Sequence, residues 1–131
     1  MTQEEKSLLL QDLCARLPYG VICTDNRHGD SRIFNIDIED ERVYYTDFDE
    51  WGLIKNCKPY LRPMSSMTEE EKEYIQTCFD IITDENYGDG YSPSAWDAIN
   101  NFTNYCDSRH LDHRGLIWRE LALPAPEGMY K

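Results

Sequence analysis

The sequence predicts an α+β fold in a single domain spanning residues 1–131. Three observations predict it. Residues 2–17 carry apolar side chains at helical spacing behind a capping box, and the region from 19 to about 57 changes to strand-like alternation between polar turns. From residue 68 onward, two more amphipathic helical patterns follow.

The first helix opens on Thr2 with Glu5 three residues later, the capping-box pattern. Leu9, Leu10, Leu13, Cys14 and Leu17 are the expected buried face, and Pro18 ends the helix. A three- to four-stranded antiparallel meander is expected next: YGVICT (19–24), SRIFNIDI (31–38) and VYYTDF (43–48), with WGLIKNC (51–57) as the fourth strand. In the second of these, Phe34, Ile36 and Ile38 alternate with Asn35 and Asp37, so they are expected to face the core.

The segment KPYLRP follows, and Pro59 and Pro63 exclude helix from it. It is expected to run extended across the surface with Tyr60, Leu61 and Met64 as anchors. A second capping box, Thr68 with Glu71, starts a helix running to about Ile82 that buries Tyr74, Ile75, Cys78, Phe79 and Ile82. After a Gly-rich loop, Ser92 and Pro93 start a third helix ending near Ser108, with Trp96, Ile99, Phe102 and Cys106 on one face. The remainder, broken by Gly115, Pro124 and Pro126, reads as a helical turn and an extended C-terminal tail.

Composition narrows the function classes. Leu, Ile, Val and Phe supply only 27 of 131 residues, so nine Tyr and three Trp are expected to make the core aromatic-rich. Five cysteines, odd in number and never in C-x-x-C, predict reduced and mostly packed thiols, as in a cytoplasmic protein. Neither a signal peptide nor a membrane-spanning segment is expected. The net charge is −12, and residues 67–107 carry ten acids against Lys72 alone. Such a face repels phosphate backbones and attracts basic protein surfaces, so direct nucleic-acid binding is disfavoured.

Few constellations carry chemistry. The loop after Asp84 resembles a calcium loop but has Asp89 where glycine is needed and Ala95 where a bidentate glutamate belongs. Cys106, His110 and His113 follow an i, i+4, i+7 spacing, and with Asp107 or Asp112 they are the candidate zinc ligands. Leu111 and Asp112 interrupt that pattern and Gly115 is close by, so a helix-end cluster suited to the C-terminal dipole is the preferred reading. Nucleophile motifs are missing from the sequence, and no cofactor is implied.

At DLCARLPYGV (12–21), KPYLRPMSSMTEEEKEY (58–74), DHRGLI (112–117) and LALPAPEGMYK (121–131), the chain resembles a group of small proteins common in gut Bacteroidales genomes and their phages. The resemblance implies a context rather than a reaction and carries over no catalytic residue. In that group the pattern HFDYRGLI stands where this chain has HLDHRGLI, which weighs against His113 as a metal ligand. It also places Tyr60, Arg62, Arg114 and Gly115 in the segments that define the group.

The expected function is therefore a non-enzymatic, acidic protein-interaction module, such as an inhibitor or immunity-type binder of a basic, nucleic-acid-handling partner. Its candidate interaction residues are Tyr60, Arg62, Glu69, Glu70, Glu73, Asp80, Asp84 and Asp89. The alternatives are a small metal-dependent enzyme using Cys106, His110 and His113, and a DNA-associated regulator. The latter would use a basic patch of Lys55, Lys58, Arg62 and the 109–119 stretch.

Overall fold

A computed structural model describes residues 1–83 and 93–130. The fold is α+β. Helix α1 (Gln3–Arg16) begins on the expected capping box: Thr2 Oγ1 accepts from the Glu5 amide at 3.1 Å, and Glu5 Oε1 accepts from the Thr2 amide at 2.8 Å. Its buried face is rotated from the expected one. Leu9, Leu10 and Leu13 are buried, but Asp12 and Arg16 are buried with them, while Cys14 is exposed. A 3-10 turn (Leu17–Tyr19) containing Pro18 ends at Gly20 with φ +73°.

Six strands follow in the spatial order β4-β3-β2-β1-β5-β6. They are β1 (Ile22–Asp25), β2 (Gly29–Asp37), β3 (Arg42–Tyr45), β4 (Glu50–Leu53), β5 (Cys57–Leu61) and β6 (Leu123–Pro124). Strands β1 to β4 form the expected meander. Residues 51–57 do not make one strand: β4 ends at Leu53, a 3-10 turn (Ile54–Asn56) intervenes, and β5 runs on in the same sense as β4 but pairs antiparallel with β1 on the other side of the meander.

KPYLRP is thus extended but not laid over the surface. It contributes an interior strand in which Pro59 and Leu61 are fully buried. Pro59 is tolerated because β6 pairs with β5 only from Tyr60 onward. The C-terminal tail adds β6 in parallel with β5.

The alternation in β2 faces the other way at its key position. Ile33 pairs with Tyr45 and Asn35 with Tyr44, so Phe34 is an extra residue in a β-bulge. The bulge changes parity. Ile33 and Ile36 both point to the core, whereas Phe34 is thrown outward and is 71% exposed. There it meets Tyr44 edge-on at 6.4 Å, and Tyr44 meets Trp51 at 5.4 Å. The core is consequently aliphatic, not aromatic-rich. Leu9, Leu10 and Leu13 of α1 pack on Val21, Ile33, Val43, Ile54, Leu61 and Leu116, with Tyr45 the only buried aromatic among the described residues. Gly52 allows this, since a Cβ there would sit 2.7 Å from the Tyr45 ring.

Helices α2 (Glu69–Thr83) and α3 (Pro93–Ser108) pack on each other beside the sheet. The second capping box is present: Glu71 Oε1 accepts from the Thr68 amide at 2.9 Å and Thr68 Oγ1 accepts from the Glu71 amide at 3.2 Å. Their apolar contact is narrower than expected. Ile75 and Cys78 of α2 and Cys106 of α3 are buried, whereas Tyr74, Phe79 and Trp96 stay substantially exposed. Among the described residues, the shared core is a small cluster of Ile75, Cys106 and Leu111, flanked by Met64, Met67, Phe102 and Tyr105. Ser92 and the Gly-rich loop lie outside the described residues. No helix among the described residues is long and apolar enough to cross a membrane.

The bulge sets a measurable contrast. Leu13→Ala is expected to lower unfolding free energy in urea by about 2–5 kcal/mol, the range for an emptied core site, while Phe34→Ala should change it by about 0.5 kcal/mol or less. Similar losses for both would contradict the outward-facing Phe34.

Candidate functional site

Polar groups tie the helix pair to α1 and to the residue after β5. Arg16 Nε donates to Asp12 Oδ2 at 2.9 Å, and an Arg16 terminal nitrogen donates to the Leu111 carbonyl at 2.7 Å. Arg114 then bridges the two carboxylates, donating to Asp12 Oδ1 at 2.8 Å and to Asp107 Oδ1 at 2.9 Å. Asp12 and Arg16 belong to α1, Asp107 to α3, and Arg114 to the turn after it. Two carboxylates thus face two guanidiniums. Asp12 and Arg16 are 0% exposed. The carboxyl of Asp107 is held below its ordinary range, because the His113 and Arg114 bonds and the Arg114 and Arg16 charges outweigh the opposing cost of burial.

A second tie is the Arg62 fork on Glu71, with bonds of 2.8 and 2.7 Å. It depresses the Glu71 carboxyl to about 2, chiefly through the Arg62 hydrogen bonds. Glu71 therefore serves both its own helix cap and the tie to β5. Backbone bonds reinforce this: the Arg62 amide donates to the His110 carbonyl at 2.7 Å, and the Asp112 amide donates to the Arg62 carbonyl at 2.9 Å.

His110 terminates α3 in an unusual way. The Leu111 amide donates to Cys106 O at 2.9 Å and the His110 amide to Asp107 O at 3.2 Å, the paired bonds of a Schellman cap. The left-handed position of such a cap normally holds glycine, yet His110 occupies it with φ +58°. Its side chain is held on two sides. Nε2 lies 3.1 Å from the Tyr19 carbonyl, which can only accept, so the ring proton is on Nε2. The ring stacks on Tyr130 at 3.7 Å. The Tyr130 hydroxyl in turn donates to Tyr60 O at 2.9 Å and accepts from the Ile22 amide at 2.8 Å.

These elements enclose a cleft. One part, about 340 Å³, is lined by Tyr19, Gly20, Arg32, Arg62, Arg109 and His110, together with Ser108 and Tyr130. It adjoins a hollow of about 440 Å³ that shares Arg62 and Tyr130 and is bounded by Pro63, Pro126 and Glu127.

On the far side of α2, Glu69, Glu70, Glu73 and Asp80 are exposed on the face opposite Ile75 and Cys78. Tyr74 and Phe79 border that face, Tyr74 stacked on Tyr105 at 4.1 Å and Phe79 tilted on Phe102 at 5.1 Å. The nearest described cation is Lys72, paired with Glu69 at 3.3 Å.

The sequence-predicted residues therefore divide. Glu69, Glu70, Glu73 and Asp80 come together as one exposed face, and Asp84 and Asp89 lie outside the described residues. Tyr60 and Arg62 do not join that face: the Tyr60 hydroxyl donates to Asp30 at 2.9 Å, and Arg62 is engaged by Glu71. Cys106, His110 and His113 do not converge. Cys106 is buried in the helix-pair core, with burial pushing its thiol up to about 11, while the His110 Nε2 meets Tyr19 and the His113 Nε2 meets Asp107 at 2.9 Å. No group of three or more His, Cys, Asp or Glu among the described residues could hold a metal ion. Of the candidate basic patch, Arg62 and Arg114 are paired with carboxylates.

Asp12, Arg16, Arg32 and Tyr130 were not expected at any site. For the first two a signal existed: an i, i+4 charged pair lying on the same helical stripe as Leu9 and Leu13. The chain matches no protein-family model, no curated protein and no solved structure. The functional reading therefore rests on these residues.

Burial, with the charges of Arg16, Arg32 and Arg62, pushes the His110 imidazole down to about 4 from an ordinary 6.5. A depressed folded value means that the unfolded chain takes up the proton first. Stability is then full above pH 6.5 and falls as pH drops toward 4. About 2 kcal/mol is expected to be lost between pH 7 and pH 5. Urea titrations at the two pH values should show this slope in the parent protein and its removal in His110→Gln; an unchanged slope would contradict the assignment.

Proposed function

We propose that the protein is a non-enzymatic interaction module that docks the exposed face of α2 against a basic surface of a partner protein. One observation carries this reading: Glu69, Glu70, Glu73 and Asp80 share one face, bordered by the half-exposed rings of Tyr74 and Phe79. Exposed carboxylates in excess over the single Lys72 on the helix steer a basic partner into encounter, and flanking aromatics supply contact area that resists dissociation once water is excluded. Glu71, in the middle of the same acidic run, is withdrawn into the Arg62 fork. That withdrawal fixes the helix so that its neighbours present a rigid row of charge, the form an inhibitor of a nucleic-acid-handling protein would use to occupy a phosphate-binding surface.

The test is affinity capture from a bacterial host lysate followed by binding measurements on the captured protein. A basic partner is expected, with association slowing steeply as salt rises. Replacing Glu69, Glu70, Glu73 and Asp80 by Lys should weaken it by at least about 100-fold, roughly 3 kcal/mol, while circular dichroism stays unchanged. A partner indifferent to the charge reversal would sink the reading.

A further inference from the structure

We propose that the cleft between the Leu17–Gly20 turn, the end of α3 and the C-terminal tail binds the phosphate group of a small phosphomonoester, held between the guanidiniums of Arg32 and Arg109. The argument starts from where the arginines go. In a chain of net charge −12, five of the eight arginines (Arg16, Arg27, Arg42, Arg62 and Arg114) pair with carboxylates among the described residues. Of the other three, two line this one cleft.

Both are positioned rather than left to roam. Arg109 lies over the Tyr105 ring at 5.1 Å. Arg32 lies close against Gly20: a Cβ at that glycine would stand 2.7 Å from its terminal nitrogen. The backbone glycine thus makes room for the guanidinium at the mouth of the cleft. Arg62 lines the same cleft, with its charge already matched by Glu71. Among the described residues, what is left unmatched is a pair of planar cations beside a cavity of about 340 Å³.

Chemistry then selects the ligand. A phosphomonoester near neutral pH is close to a dianion and matches two guanidiniums, whereas a carboxylate would leave one positive charge uncompensated. The adjoining hollow, lined by Pro63, Pro126 and Tyr130 together with Arg62, Ser66 and Glu127, would take a flat body of mixed polarity attached to that phosphate. A nucleic-acid strand is a poorer fit, because its successive phosphates would have to run past a strongly acidic molecule.

The test uses isotope-labelled full-length protein titrated with inorganic phosphate, phenyl phosphate and acetate, followed by amide NMR. Saturable shifts localised to Gly20, Arg109 and His110 are expected with phosphate at millimolar concentration, tighter with phenyl phosphate and weaker with acetate. Arg32→Gln and Arg109→Gln should each weaken phosphate about tenfold with amide dispersion retained, and Arg119→Gln, an exposed arginine outside the cleft, should not. The proposal is overturned by no saturation up to about 10 mM phosphate, by an equal loss in Arg119→Gln, or by acetate binding as tightly as phosphate.

Discussion

The Asp12, Arg16, Asp107 and Arg114 network is the interaction on which the rest of the structure depends. The sheet and α1 share an aliphatic core, but the helix pair has only a small apolar cluster of its own. Between the two lie four charged side chains, of which Asp12, Arg16 and Asp107 are buried and Arg114 is partly so. Such an arrangement is costly to bury and adds little net stability over a well-packed apolar joint, yet removing one member strands the others without compensation. Arg16 Nη1 is already buried without a hydrogen-bond partner among the described residues, so the set has little slack. What the network supplies is a single orientation, because guanidinium and carboxylate planes match in few ways.

That orientation has consequences on both sides of the joint. With Asp107 held and the Leu111 carbonyl capped by Arg16, the end of α3 can close in a Schellman cap despite the left-handed histidine. His110 is then brought onto Tyr19 and Tyr130, and the cleft takes shape between the chain's early turn and its C-terminal tail. On the other side, the Arg62 fork fixes the first turn of α2, so that the acidic residues following it project from a defined surface. The acidic face and the arginine-lined cleft are thus both set by how the helix pair seats on the rest of the fold.

Helix starts were legible in the sequence because capping boxes act locally: Thr2 with Glu5 and Thr68 with Glu71 are both realised. So was the α+β class, which follows from the change in hydrophobic period. The direction of the β2 face was not, because one bulged residue at Phe34 reverses parity, and nothing local distinguishes a bulge from continued alternation. The position of β5 was illegible for a related reason. Pro59 argues against an interior strand, and only the short reach of β6 makes it compatible.

At the candidate sites, the acidic run could be read directly, since exposed charge on a capped helix needs no tertiary information. The cleft could not. Arg32, Arg109 and Tyr130 come from a strand, a helix end and the C-terminal tail, and only the fold brings them together. Cys106, His110 and His113 show the reverse case, a spacing that suggests convergence until the Schellman cap turns the chain between them.

The central claim, that a charged joint seats the helix pair, is tested most directly by native-state hydrogen exchange on Asp107→Asn. The account predicts that amides of α2 and α3 lose protection together while those of β1, β2 and β5 retain most of theirs, the signature of a unit released at its joint. Uniform loss across both halves, or no loss in either helix, would contradict it.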